Sequence, residues 1–225
     1  MTFISVARIP CETSWTNFAR EKRSAVTLAS GILAPTDSPI QSAKDLAGKT
    51  VAVNNLKSIS DTTILHAVAA DGGDPATVKF VEVAFPDMAG QLAGGNVDAA
   101  WAVEPFVSIM KSQGARVVDY NLATFDKNLL VSGYFTTTQY ATENPDVISA
   151  FDAALKKSHE YATANPEELR TFLSTYMRIA PELQDDIVLP SWPMQIDVAS
   201  IQKLADEGQK YGMTTTRVEA QSMLG

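Results

Sequence analysis

The chain has 225 residues, 45% hydrophobic and 20% charged, with a formal net charge of −8. That composition suits a globular protein with a substantial core, and the length permits one large domain or two small ones. The acidic balance, without any long run of like charge, argues against nucleic acid, whose phosphates require clustered Lys and Arg.

Cys11 is the only cysteine, which leaves no intrachain disulfide and no Cys-based metal site. The N-terminus, Met1 to Arg8, holds a short apolar stretch without a charged start and a long apolar core, so it does not read as a signal peptide. No segment approaches the roughly 20 apolar residues of a membrane span.

Residues 1 to about 40 offer little beyond a possible strand at Ala25 to Leu33. From Ala43 strands and helices alternate with clear punctuation. Lys49 to Val53 reads as a short buried strand. Ser58 and Ser60 then offer caps for a helix through Ile64, Leu65 and Val68, stopped by Gly72-Gly73. Lys79 to Val83 is a second strand, and Pro86 opens a helix through Met88 and Leu92 that Gly94-Gly95 stops. Asp98 to Val103 is a third strand. Pro105, placed where a first helical turn tolerates proline, precedes a helix carrying Phe106, Ile109 and Met110 and ending at Gly114. Arg116 to Val118 supplies a fourth strand. Strands separated by helices of this length predict a mostly parallel sheet covered on both faces, an α/β doubly wound lobe.

After Leu130 to Thr137, which reads as one more strand, helices dominate. Asn144-Pro145 and Asn165-Pro166 are matching helix starts, with Asn as cap and Pro in the first turn. The first opens a long helix with Val147, Ile148, Phe151, Leu155 and Tyr161 on one face; the second carries Leu169, Phe172, Leu173 and Tyr176. The Pro-rich stretch Leu189 to Pro193 leads to Asp197 and a last helix through Ile201 and Leu204, closed near Gly212.

The run from Ser42 to Val53 resembles the opening of the second lobe in the nitrate, sulfonate, taurine and thiamine-pyrimidine binding proteins of ABC importers. The similarity continues through Asn54 to Asp61, through Gly94 to Phe106, and in Asn144-Pro145-Asp146-Val147-Ile148 and Asn165-Pro166-Glu167-Glu168. This resemblance implies a two-lobed clamp of the periplasmic-binding-protein kind that holds a small molecule between its lobes and hands it to a membrane permease. It also implies an extracytoplasmic location, although no export signal is visible. Family members carry a longer first lobe ahead of the Asp45 region. The expected division is therefore a first-lobe remnant or irregular segment at 1–42, a complete α/β lobe at 43–132, and returning helices of an incomplete lobe at 133–225.

The best candidate site is the turn from Asn54 to Thr63, where a strand ends and a helix begins. Free backbone N–H groups and the positive end of the helix dipole suit a ligand's carboxylate, sulfonate or carbonyl, and ligands in open α/β sheets sit outside the carboxyl ends of strands. The resemblance implies that Asn55, Ser58 and Ser60 face the cleft, with Thr62 beside them. The spacing of Ser58 and Asp61 equally suits plain capping. Asp61 competes with an anion for the same amides, which favours a neutral or partly cationic heteroaromatic over nitrate or a small sulfonate. Trp101 offers a flat face and Glu104 an acceptor at the end of a strand; core packing and a helix start are their plainer roles. Trp192 suits core packing better than the cleft. His66 and His159 lack partners at metal-ligand spacing, so neither metal nor cofactor is expected. No nucleophile motif ties Ser, His and Asp together.

The expected function is therefore solute capture without chemistry. Two other readings stay open: an enzyme like the fungal pyrimidine-precursor synthases, whose cysteine-rich iron-binding run Cys11 alone does not supply, and a cytoplasmic sensor or interaction protein built from a truncated binding protein. Apolar surface on the returning helices predicts a homodimer or residual stickiness.

Overall fold

The computed structural model describes residues 29–223, apart from 135, 176, 178 and 194–196. The strands are β1 (Ser30–Pro35), β2 (Thr50–Val53), β3 (Lys79–Glu82), β4 (Ala99–Val103) and β5 (Ala115–Asp119). Helices α1 (Ile59–Ala70), α2 (Phe85–Ala93), α3 (Phe106–Ser112) and α4 (Asn121–Phe125) follow β2, β3, β4 and β5 in turn. The alternation read from the glycine and proline punctuation is present, element by element.

The strands form one five-stranded sheet in the order β3-β2-β4-β1-β5. β2 pairs in parallel with β3, Val51 facing Phe80, and with β4, Val51 facing Ala99. β1 runs against both of its neighbours, Ile32 facing Trp101 of β4 and Leu33 facing Val117 of β5. The sheet is thus mixed: β2, β3, β4 and β5 run one way and β1 the other. β1, ahead of residue 43, lies within this sheet between β4 and β5. Ser30 to Ala34 are all buried, the continuous pattern of a strand covered on both faces.

One face packs Ile32, Val51, Val53 and Trp101 beneath Ile64 and Val68 of α1 and Leu122 and Phe125 of α4. The other packs Leu33, Ala52, Ala100 and Ala102 beneath Met88 and Leu92 of α2 and Val107 and Met110 of α3. Two helices on each face make the doubly wound arrangement. Each large side chain fully withdrawn from water contributes about 1.5–3 kcal/mol.

The returning part differs from its expectation in two places. Among the described residues of Leu130 to Thr137 there is no strand; Val131 instead packs against the core cluster, beside the buried Leu129. Helices α5 (Thr138–Glu143), α6 (Pro145–Ala164) and α7 (Pro166–Leu173) follow, with Pro145 and Pro166 at the expected first-turn positions. The asparagines, however, do not cap forward. Asn144 Nδ2 donates to the Tyr140 carbonyl at 3.0 Å and Asn165 Nδ2 to the Tyr161 carbonyl at 2.8 Å. Each satisfies the end of the helix before it, where carbonyls lack partners. No residue of α6 is buried, and Val147, Phe151 and Tyr161 are exposed.

The last long helix, α8 (Val198–Lys210), returns to the lobe. Asp197 caps it by accepting from Ala199 N at 3.0 Å and Ser200 N at 3.2 Å. Against α1, His66 Nδ1 stands 3.3 Å from Glu207 Oε2. Lys203 donates to the Phe125 carbonyl and lies over the Phe125 ring, 4.5 Å from its centroid. No helix among the described residues is long and apolar enough to cross a membrane.

Candidate ligand site

Because β2, β3 and β4 are parallel neighbours, their carboxyl ends share one edge of the sheet. From that edge the chain passes into α1, α2 and α3 through short connections: 54–58, 83–84 and 104–105. The edge therefore gathers helix starts, whose first N–H groups have no partner within the helix.

At the first of these starts, Lys57 takes the left-handed conformation, φ 56°. Its N–H donates to Asp61 Oδ2 at 2.7 Å, and the Ser60 hydroxyl donates to Asp61 Oδ1 at 3.2 Å. The Ser58 hydroxyl donates to the Asn55 carbonyl at 3.0 Å and stands 2.7 Å from the Ser60 hydroxyl. Ser58 caps nothing with its side chain. The capping-box spacing is thus only half used: the carboxylate reaches back, one residue further than expected. Burial raises the Asp61 pKa, against the hydrogen bonds from Lys57 and Ser60 that lower it. The turn therefore already contains an internal acceptor in the place where a ligand's anionic group was expected.

Burial separates the expected contact residues. Asn55 is exposed, Ser58 and Glu104 are half-buried, and Ser60, Asp61, Thr62 and Trp101 are buried. The Thr62 hydroxyl donates to the Ser58 carbonyl at 3.2 Å; it faces Gly208 of α8, where a β-carbon would come within 3.7 Å of that hydroxyl. Trp101 is 4% exposed and its indole N–H donates to Asn121 Oδ1 at 3.1 Å. Its ring lies within the core cluster on the α1 and α4 face of the sheet. Glu104 is engaged as well. Its carboxylate accepts from Ser108 N and Ser108 Oγ, each at 3.1 Å, and from Val188 N at 3.4 Å. Burial raises its pKa, opposed by the Ser108 and Val188 hydrogen bonds. Glu104 thus holds the first turn of α3 and ties the returning chain to the lobe.

Away from this edge, His66 bonds α8 through Glu207, while burial lowers the pKa of His159 in α6. Trp192 is half-buried.

Two aromatic residues outside the expected contacts open α2 and α3. Phe85 and Phe106, both half-buried, stack with ring centroids 5.5 Å apart and 17° between their planes. Phe85 also lies 6.0 Å from the Trp101 ring and packs against both core clusters, which seats it across the end of the sheet. The signal was their shared position, one aromatic at the first helical residue after a strand, each next to a proline. Beside them Glu82, Val83, Ala84, Pro86, Asp87, Gly90 and Gln91 line a shallow depression of about 620 Å³.

Comparison with known proteins bears on this arrangement. A family model described as NMT1/THI5 like matches residues 26–169. The formylaminopyrimidine-binding protein of Halalkalibacterium halodurans is 27% identical over 140 residues, which cover 58% of this chain and 40% of that protein. The chain thus matches less than half the length of that relative. Among solved structures, the periplasmic aliphatic sulphonate binding protein SsuA from Escherichia coli superposes with a TM-score of 0.71 at 22% identity, covering 88% of this chain and 66% of that one. The alkanesulfonate-binding protein SsuA from Xanthomonas axonopodis pv. citri, bound to MOPS, gives 0.74 at 19% identity, covering 89% and 70%. These likenesses establish the periplasmic-binding-protein fold. As the family model runs from just ahead of β1 into α7, the chain belongs to the NMT1/THI5-like family.

Proposed function

We propose that this chain is a solute-binding component of an ABC importer, which holds a small organic molecule at the strand-end edge and performs no chemistry on it. The observation that carries the reading is the convergence of the β2, β3 and β4 ends with the starts of α1, α2 and α3, the place where open α/β sheets hold ligands. The relatives named above, binders of a formylaminopyrimidine and of sulfonates, support it. The partner is then a membrane permease and the place of work lies outside the cytoplasm.

The ligand we favour is planar, with amino and carbonyl groups, in the manner of an aminopyrimidine. Asn55 and Ser58 supply polar contacts at the α1 start, and Phe85 and Phe106 supply the aromatic surface in place of the buried Trp101. Asp61 already accepts the Lys57 N–H, which weighs against a bare anion there. Isothermal calorimetry with an aminopyrimidine, nitrate and taurine tests this. The aminopyrimidine binds, and Phe106→Ala weakens it about tenfold, near the 1.4 kcal/mol that corresponds to a decade. If nitrate or taurine binds and the pyrimidine does not, the ligand class is wrong; if a substrate is turned over, capture without chemistry is wrong.

A further inference from the structure

We propose that Asn121 is a positioning residue of this cleft, holding the first turn of α1 in register with β4 through a buried, one-directional chain of hydrogen bonds. The proposal rests on the reading that the α1 start meets the ligand. Asn121 opens α4 and is fully buried; Trp101 and Thr63 are 4% and 0% exposed. Asn121 Oδ1 accepts from Trp101 Nε1 at 3.1 Å, and Asn121 Nδ2 donates to Thr63 Oγ1 at 2.7 Å. Thr63 Oγ1 in turn donates to the carbonyl of Ile59, the first residue of α1, at 2.7 Å.

The direction of each link follows from the chemistry of its groups. An indole nitrogen only donates, so the oxygen of the Asn121 amide must face Trp101 and its NH₂ must face Thr63. The Thr63 hydroxyl therefore accepts from the side chain and has its own proton left for the backbone. The orientation of the Asn121 amide is thereby fixed, and the Thr63 proton goes to a carbonyl of the first α1 turn, Ile59 at 2.7 Å with Ser60 at 3.2 Å as the longer contact; none of the three side chains is open to water as a substitute partner. Moving the α1 start relative to β4 would leave a buried donor unpaired, which the interior opposes. A helix start held this way keeps its free N–H groups aimed before a ligand arrives, as a supporting shell does for a binding site. Asn121 itself touches no ligand.

The test compares Thr63→Val, which keeps the shape but loses the hydroxyl, with Thr63→Ser, which keeps the hydroxyl. Amide hydrogen exchange is read at Thr62, Thr63 and Ile64, with Met88 to Leu92 of α2 as reference, and the indole N–H resonance of Trp101 is followed by selective ¹⁵N labelling. Positioning predicts that Thr63→Val speeds exchange in the α1 turn at least tenfold beyond any change in α2. Thr63→Ser stays near the wild type, and the Trp101 resonance stays in place in both. Equal exchange changes in both helices, or none, would overturn the proposal. If Thr63→Val fails to fold, Asn121→Asp replaces it: a carboxylate accepts from both neighbours, draws the Thr63 proton away from Ile59 and loosens the same turn. Aminopyrimidine affinity is measured in parallel. If the exchange pattern appears but the wild type binds no aminopyrimidine or alkanesulfonate, positioning stands and the ligand reading falls.

Discussion

Asp61 shows how much a single buried group can decide. It is 3% exposed, with the Lys57 N–H and the Ser60 hydroxyl as donors to its carboxylate. Burial raises its pKa from 3.8, so the native state holds the proton more tightly than the unfolded chain does. Between 3.8 and the raised native value, Asp61 makes stability fall as pH rises. Asp61→Asn keeps an acceptor for Lys57 and removes the charge. In urea melts from about pH 3.5 to about pH 7, its midpoint should gain on the wild type through that window; a constant or shrinking gap would count against this account. Glu104→Ala strips the partners from Ser108 and Val188. Hydrogen bonds to charged groups contribute about 1.5–3 kcal/mol. A loss near 2 kcal/mol lowers Tm by roughly 4–8 °C, so an unchanged melting curve would show that the tether to Val188 contributes nothing. At this scale the sequence located the turn between β2 and α1 but not which way its groups point. Trp101 and Phe106 are equally aromatic at the end of β4; only packing decides that one closes into the core and the other stays half open.

Among the elements, two glycines have opposite surroundings, Gly73 at the stop after α1 and Gly90 within α2. At Gly73 a β-carbon would come within 2.8 Å of Lys44 Cα, the Lys44 carbonyl and Val68 Cγ1. Backbone atoms do not yield cheaply, so Gly73→Ala should cost about 1–3 kcal/mol. Gly90, inside α2, has nothing within 4 Å of that position, so Gly90→Ala should gain about 0.5–1 kcal/mol. Denaturation of both variants checks the pair, and equal effects would refute the packing argument. The order β2, α1, β3, α2, β4, α3, β5 was legible because each element announces itself locally, by apolar runs and by turn residues at its ends. What escaped was pairing. The pattern of β1 is local, but its place between β4 and β5 depends on residues far along the chain. Leu130 to Thr137 shows the reverse case, a strand-like composition without a strand among its described residues.

For the molecule as a whole, the two parts of the chain are unequally covered. The sheet is enclosed on both faces, whereas α6 exposes Val147 at 51%, Phe151 at 43% and Tyr161 at 57%. Val147 and Phe151 stand four residues apart, neighbours on one helix face, and exposed apolar surface there favours association. Light scattering over a micromolar concentration series should show self-association. A Val147→Lys, Phe151→Lys double variant should suppress it, and a concentration-independent monomer mass for the unaltered chain would refute the expectation. The inserted β1 has a further consequence for the order in which the protein is made. A nascent chain exposes Ser30 to Pro35 early, yet both neighbours of that strand, ending at Val103 and Asp119, emerge much later. β2 and β3 can pair first, but the middle of the sheet must wait. β5 finds its ladder only through β1, so it is the last strand to gain a neighbour. Such long-range pairing makes folding slow, and until Asp119 has emerged the apolar run Ile32-Leu33-Ala34 needs shelter from other chains.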